Sequence, residues 1–457
     1  MKTFAIVFAA GKGTRMKTEL PKCAFPILKK PMIEYIIENV ERSNIDETVL
    51  VVGHKKEIFE DMLADRVVFA YQHEQLGTGH AAQMTESYLK GKQGNTIILL
   101  GDMPLISDKV IDKILVKHEE SNNDLTVVTT NFDNPKGYGR IVRDQYGKIA
   151  SIVEHNDCNH EQKQIKEVNT GIYVVNNTVL FDVLPKITMN PRKKEYYLTD
   201  IVELMKPSYK IGTFVMRDSF RVMGVNDLFA ISVAEKYMRE EINKMHMLNG
   251  VSIVNPETVT IGHNVTIEPA VTIQPNTTIT GKSIIKKDAV IGPNTEIHNS
   301  VIYEKVTVKH SLVYDSTVNE RSMIGPFAHL RNNAIIGKGN RIGNFVEVKK
   351  SSTGENTKAA HLAYIGDTTT GKNVNFGCGS VTVNYDGVTK HQTVIGDDVF
   401  IGCNTNLIAP IKIEDHVFIA AGSTVTKDVP KGALAIARNQ QINKEDYVKH
   451  LIKPKKD

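Results

Sequence analysis

Residues 259–297 read VTIGHNVTIEPAVTIQPNTTITGKSIIKKDAVIGPNTEI, with an aliphatic residue on every sixth position from Ile261. Ile261, Ile267, Ile273, Ile279, Ile285, Ile291 and Ile297 form the row, and Val259, Val265 and Val271 repeat two places earlier. The phase slips briefly and resumes at Ile324, Leu330, Ile336, Ile342 and Val348, then at Ile401, Leu407, Ile413, Ile419 and Val425. Six residues match neither the helical period of about 3.6 nor the strand alternation of about 2. They match a β-solenoid, in which short strands stack rung on rung and each inward side chain is covered by the next rung. One hexapeptide cannot shield its own isoleucine, so only a stacked array makes a continuous core. Gly262, Gly292, Gly325, Gly337, Gly343, Gly396 and Gly402 follow aliphatic positions, as tight corners require.

The array fills about half of the 457 residues, and a chain of this length implies a second large unit ahead of it. A hydrophobic content of 41% and a charged content of 24% are those of a soluble globular protein. The formal charge of +4 is small for this length and argues against nucleic-acid partners. Lys449, Lys453, Lys455 and Lys456 read as a solvated basic end. With no apolar run long enough to span a bilayer and no signal-peptide pattern at the start, the expectation is a cytoplasmic protein without a membrane partner. Cys23, Cys158, Cys378 and Cys403 are scattered, with neither a CxxC pair nor metal-ligand spacing, so reduced thiols are expected.

Ahead of the array, Phe4–Phe8 reads as a buried strand running into Ala9-Ala10-Gly11-Lys12-Gly13-Thr14-Arg15-Met16. Small residues and glycines at a strand end let the backbone close on a phosphate. The loop is neither Gly-x-Gly-x-x-Gly nor a Walker loop, which disfavours dinucleotide binding and P-loop hydrolysis. Arg15 and Lys22 add two cations within reach of a triphosphate. Pro31 suits a helix start, with Met32, Ile33, Ile36, Ile37 and Val40 on its apolar face. Strands are expected at Thr48–Val52, Val67–Tyr71, Thr96–Leu100 and Leu125–Thr130, alternating with helices, which predicts a mainly parallel α/β sheet with its ligand at the carboxyl ends. Gln72, Gln75, Gly77 and Thr78 follow one such end and Asp102 another. Amide side chains suit the edge of a nucleobase. A strand-end carboxylate suits Mg²⁺ against phosphate oxygens, and a helix cap after Pro104 is the equal alternative for Asp102. Residues 228 to about 248 have helical composition and few Gly, Ser or Pro, so a linking helix is expected rather than a flexible linker.

The motifs Ala9–Met16, Leu20-Pro21-Lys22, Gln75-Leu76-Gly77-Thr78, Gly101-Asp102 and Gly137-Tyr138-Gly139-Arg140 resemble the sugar-1-phosphate nucleotidyltransferases. Glu154 in Ile152–His155, Asn169 in Asn169–Ile172 and Asn226 in Gly224–Asp227 extend the match. The array resembles the left-handed parallel β-helix of hexapeptide-repeat acyltransferases, which commonly trimerise. Together the two halves resemble the bifunctional family that joins an N-acetylglucosamine-1-phosphate uridylyltransferase to a glucosamine-1-phosphate N-acetyltransferase. That resemblance implies a nucleotidyltransferase domain over 1–228, a linker helix over 229–249 and an acetyltransferase β-helix over 250–457. It implies UTP contacts from Ala9, Ala10, Gly11, Lys22, Gln72, Gly77 and Thr78, and sugar contacts from Gly139, Glu154 and Asn169. It also places Mg²⁺ on Asp102 and Asn226, with UTP, acetyl-CoA and amino-sugar phosphates as small-molecule partners, in a homotrimer. Phe8 stands where that family usually has Leu, and Cys23-Ala24-Phe25 replaces a more usual Val-Leu-His.

Between Val348 and Ile365, and again between Val383 and Ile395, the six-residue phase fails, and polar residues collect there. A glucosamine ammonium must lose a proton before its nitrogen attacks a thioester, and His361 is the natural acceptor, with an unperturbed pKa near ~6.5. Arg331 and Lys349 suit the sugar's phosphate. The resemblance adds Tyr364 and Asn375 on the sugar, Asn384 and Tyr385 at the thioester, and Ala421 and Arg438 along the CoA groove. Cys378 and Cys403 fall in that groove where the family more often shows Ala and Ser. Two other readings remain open at this level: a single-activity sugar-1-phosphate nucleotidyltransferase with a structural or regulatory solenoid, and a non-catalytic scaffold.

Overall fold

The computed structural model describes residues 2–11, 13–191 and 193–451. Lys12 of the glycine loop and Lys453, Lys455 and Lys456 of the basic end lie outside the described residues. The chain divides into two compact units, Met1–Met238 and Arg239–Asp457. Among the described residues no helix is long and apolar enough to cross a membrane.

The first unit is built on a sheet whose main path runs Ile211–Met216, Leu125–Asn131, Glu167–Asn176, Asn95–Leu100, Thr3–Phe8, Glu47–Val52, Val68–Tyr71. Glu167–Asn176 is antiparallel to both neighbours, and the remaining pairs are parallel. Each strand expected from its apolar run lies within one residue of its observed bounds. Phe4, Ala5, Ile6 and Val7 are almost wholly buried, since helices cover both sides of a central parallel strand. The helix Met32–Arg42 begins right after Pro31 and buries Met32, Ile33, Ile36, Ile37 and Val40. Thr3–Phe8 pairs with Glu47–Val52 on one edge and Asn95–Leu100 on the other, so the sheet order reverses there. Loops leaving the carboxyl ends of those strands diverge and open a crevice.

A helix spans Leu228–Leu248, and Asp227 caps it by accepting from the Ala230 N–H at 2.8 Å. The division between the units falls inside this helix.

The second unit is a parallel β-helix with three faces. Ile261, Ile279, Ile297, Val313, Leu330, Val348 and Ile365 pair in parallel register, each on the next rung, and all are fully buried. Ile267, Ile285, Ile302, Val318 and Ile336 form the matching column of a second face. Six residues therefore advance the chain by one face, and three faces complete a rung. Burying one such aliphatic side chain contributes about 1.5–3 kcal/mol, and the stack repeats that gain at each rung.

The expected break between Val348 and Ile365 is not one. Arg341–Lys349 and Lys358–Gly366 pair in parallel through Ile342↔Ala359 and Val348↔Ile365, so the coil continues. The aliphatic rhythm is hidden there because Thr353 and Ala359, both buried, hold the inward places. The interval after Val383 is a true excursion: Asn384–His391 leaves the coil, with an antiparallel bridge between Tyr385 and Lys390, and Thr393 rejoins beside Thr368.

Candidate active sites

In the first unit the crevice holds two adjoining clefts. One, about 440 Å³, is lined by Ala9, Ala10, Gly11, Lys22, Gln72, Gly77 and Thr78. The other, about 420 Å³, is lined by Arg15, Gly139, Glu154, Asn169 and Asn226. Asp102 faces both. Residues assigned by resemblance to the nucleotide thus lie in the first cleft, and those assigned to the sugar in the second or on the shared wall. A Cβ on Gly11 would meet nothing within 4 Å, so packing does not demand that glycine and the wall stays open to a ligand. Gly77 has φ +99 and its Cβ would meet the Tyr196 carbonyl oxygen, so the turn depends on glycine. Gln72 braces that turn by donating to the Gly77 carbonyl at 3.0 Å, which leaves its own carbonyl oxygen for a base.

Lys22 joins the clefts. Its ammonium pairs with Asp102 Oδ2 and donates to Asn226 Oδ1 at 3.1 Å. Asn226 Nδ2 donates to the Gly224 carbonyl at 3.3 Å, which turns Oδ1 toward the lysine. Burial pulls the Lys22 ammonium down, but Asp102 beside it outweighs this and leaves its pKa raised. Asp102 caps no helix, because the next one starts at Asp108 after Ser107. Two hard oxygens converging on one cation are the donor set that Mg²⁺ takes together with phosphate oxygens and water, and the lysine nitrogen marks a place where a cation is held. Burial pushes the Glu154 carboxyl up, with Asp157, Asp200 and Glu195 adding to it. Asn169 Nδ2 donates to the Tyr173 hydroxyl at 2.7 Å, fixing the amide at the bulge in Glu167–Asn176. Burial drives the Cys23 thiol up to about 12, which disfavours its thiolate. Glu195, Tyr197 and Thr199 also line the clefts. They lie where the two-residue strand Glu195–Tyr196 runs into the 3-10 helix Leu198–Asp200, elements too short to leave a periodic signal in the sequence.

In the second unit the register sorts the expected residues other than Asn375 to two corners of one face. Asn344↔His361 pair across neighbouring rungs, and His361 Nδ1 lies 2.8 Å from Asn344 Oδ1. The amide oxygen accepts, so Nδ1 is the donor, and in a neutral imidazole with that donor the lone pair is on Nε2; the residue is exposed. Cys378, Cys403 and Ala421 continue this corner column at the offsets set by Lys358↔Asn375, Asn375↔Phe400 and Phe400↔Phe418. Arg438 Cδ lies 3.8 Å from where a Gly422 Cβ would stand.

At the other corner, Asn384 Nδ2 donates to Asp367 Oδ2 at 2.5 Å and lies 3.4 Å from the Tyr364 hydroxyl. Arg331 forks onto Glu347, with Nε and Nη2 at 2.8 and 2.6 Å, so much of its charge is already met. Lys390, which sequence patterning left unremarked, lies against Lys349, and that like-charge contact lowers its pKa. Two ammonium groups pressed together on a surface mark an anion site better than either alone. The Tyr385 hydroxyl donates to the Gly387 carbonyl at 2.6 Å. Asn375 projects from a different face, in register with Lys358 and Phe400, so one chain does not bring it to Arg331, Lys349 and Tyr364.

Residues 4–227 match the nucleotidyl transferase family. Residues 260–353 match the GMPPB C-terminal domain, and 392–427 the bacterial transferase hexapeptide family of six repeats. Bifunctional protein GlmU of Acholeplasma laidlawii (strain PG-8A) is 64% identical over 100% of this chain and 99% of its own length. The protein of that name from Exiguobacterium sp. (strain ATCC BAA-1283 / AT1b) is 46% identical over 98% of this chain and 100% of its own. That from Listeria monocytogenes serotype 4a (strain HCC23) is 45% identical over 98% and 99%.

Proposed function

The chain belongs to the GlmU family of bifunctional proteins, and from that premise we propose which of its residues carry each of two transfers. The protein is an enzyme that acetylates glucosamine-1-phosphate from acetyl-CoA. It then moves uridylyl from UTP to N-acetylglucosamine-1-phosphate and releases pyrophosphate, which makes UDP-N-acetylglucosamine for cell-wall synthesis. Residues 1–228 perform the second reaction and 250–457 the first.

For uridylyl transfer, UTP occupies the cleft of Ala9, Ala10, Gly11, Gln72, Gly77 and Thr78, and the sugar that of Gly139, Glu154 and Asn169. The sugar phosphate's oxygen attacks the α-phosphorus and pyrophosphate leaves, a displacement that needs positioning and charge neutralisation more than covalent help. Arg15 and Lys22 supply fixed positive charge. Asp102 and Asn226 hold Mg²⁺, which when bound neutralises phosphate oxygens.

For acetyl transfer, His361 Nε2 takes the proton from the glucosamine ammonium while Nδ1 stays on Asn344. Lys349, Lys390 and Arg331 hold the phosphate, Tyr364 and Asn375 the sugar, and Asn384 and Tyr385 the thioester. Cys378, Cys403, Ala421 and Arg438 line the CoA groove. Because Asn375 sits on another face, the site completes itself between chains of a homotrimer. Phe327, Phe345 and Leu362, 57%, 60% and 58% exposed, form an apolar column beside His361 for that contact, Phe327 and Phe345 stacking at 5.5 Å.

The observation that carries the acetyltransferase half is the Asn344–His361 pair. The protein is incubated with acetyl-CoA, glucosamine-1-phosphate, UTP and Mg²⁺, following CoASH and pyrophosphate separately. His361→Ala should lower CoASH release by about 10²–10⁴-fold, with partial rescue at high pH, where more amine is already neutral. Pyrophosphate release from supplied N-acetylglucosamine-1-phosphate should stay near parent. A variant with near-parent CoASH release at neutral pH removes His361 as the base.

A further inference from the structure

The corner column that carries His361 runs on through two cysteines. Lys358↔Asn375 and Tyr364↔Val381 pair in parallel, which sets Cys378 on the rung next to His361. Asn375↔Phe400 and Val381↔Asn406 share one offset, which sets Cys403 opposite Cys378, and the Asn404 N–H donates to the Cys378 carbonyl at 2.8 Å. The excursion at Asn384–His391 lengthens this rung and hides the juxtaposition from the sequence. Both cysteines stand in the turns that follow the paired strands Asn375–Phe376 and Phe400–Ile401, and paired strands lie ~4.8 Å apart, inside the ~4.4–6.8 Å that separates the Cα atoms of a disulfide. Both thiols are free and exposed, whereas Cys23 and Cys158 are free and buried. Gly377 and Gly379 flank Cys378, Gly379 at φ +76, so no neighbouring side chain pins that corner. The adjacent apolar column Phe327, Phe345, Leu362 continues as Gly379 and Asn404 and loses its bulk beside the two sulfurs.

We propose that Cys378 and Cys403 are a thiol-modification site: a dithiol that exchanges with a low-molecular-weight disulfide and closes into a cross-rung disulfide, which stops acetyl transfer. The blocking half rests on the acetyltransferase reading of this corner. That reading puts a pantetheine thioester here and makes a pantetheine thiol its product, so the disulfide of that thiol is the reagent the groove fits. Cys378 sulfur, its proton released, attacks one sulfur of RS–SR. The RS–SR bond breaks, and the departing RS⁻ takes up the proton. Cys403 sulfur, deprotonated in turn, attacks the Cys378 sulfur of the mixed disulfide and expels the second RS⁻, which is protonated likewise. One small disulfide is reduced to two thiols as two protein thiols are oxidised. The closed pair leaves no thiol to move aside where the thioester must approach His361.

The full-length reduced protein is treated with CoA disulfide, and in a parallel arm with glutathione disulfide, then denatured, alkylated, weighed intact and mapped. The expected result is loss of two hydrogens, two fewer alkylated thiols and one linked peptide pair containing Cys378 and Cys403, formed faster with CoA disulfide. Cys403→Ser should instead accumulate a mixed disulfide on Cys378. Acetyl transfer should fall with formation of the link and return with dithiothreitol, uridylyl transfer staying constant. The Cys378→Ser, Cys403→Ser double variant should keep its own starting acetyl-transfer rate through the treatment. Full alkylation of both cysteines after treatment, or links only between chains, overturns the dithiol. Equal rates for the two reagents remove the pantetheine preference, and a link that leaves acetyl transfer intact removes the blocking role. Absence of acetyl transfer in the reduced protein would count against the functional reading alone, because the peptide map still decides the dithiol.

Discussion

Lys22 gives the clearest case of one side chain organising a site. Its side chain and that of Asp102 are 18% and 11% exposed, so neither charge tolerates loss of the other without a desolvation cost. Asp102→Asn keeps the shape and removes the charge. It should lower uridylyl transfer by at least about 10²-fold, as removal of one preorganised electrostatic group does, with acetyl transfer unchanged in the same sample. Equal loss of both would assign Asp102 to the fold instead. Glu154 tests the sugar cleft through pH. Burial and the acidic neighbours Asp157, Asp200 and Glu195 raise its pKa, so the folded state holds this proton more tightly than the unfolded chain. Stability from this group is full below the ordinary glutamate range, near ~4.3, and is lost as pH rises through the raised folded value. Glu154→Gln should therefore melt above the parent at neutral pH, with the difference vanishing toward acid. Melting curves at matched pH check it, and parity at pH 8 would refute the burial cost. At this scale the sequence named Asp102 with two uses, metal ligand or helix cap, and the structure removes the cap because the next helix starts at Asp108. The sequence was silent where a residue is picked out by a neighbour: Lys390 by its contact with Lys349, and Asn344 by its contact with His361.

Elements were legible in proportion to how uniform their burial is. The strands of the first unit are continuous apolar runs, so their limits followed from composition. The solenoid's period fixed its faces as well, until Thr353 and Ala359 took inward places and a regular rung looked like an interruption. A Cβ on Gly343 would collide with the Ala360 backbone carbonyl, directly beside the rung position of His361. Gly343→Ala should cost about 1–3 kcal/mol by forcing that corner apart, read as a lowered melting temperature of the second unit. Acetyl transfer should fall with it, since Asn344 is the next residue. A variant with parent stability would mean the corner relaxes freely.

The whole molecule joins a sheet unit and a solenoid unit that each own a hydrophobic core. Residues 1–228 alone should keep pyrophosphate release from UTP, because their clefts are lined only from within that range. The solenoid is different: its core is complete in one chain, but of the residues proposed for acetyl transfer Asn375 sits on another face from Arg331, Lys349 and Tyr364. Phe345 offers a sharp test. It is 60% exposed, stacks only on Phe327 among the aromatic pairs described, and has φ +58, a backbone region that Asp tolerates better than most residues. Phe345→Asp therefore leaves the rung core intact but puts a charge into each copy of the proposed contact, where desolvating an unpaired carboxylate costs several kcal/mol. The variant should run as a monomer in light scattering, keep near-parent uridylyl transfer and lose most acetyl transfer. A trimer that persists would move the contact off this column. A monomer with full acetyl transfer would show that one chain holds a complete site, and Asn375 would then have no part in binding the sugar.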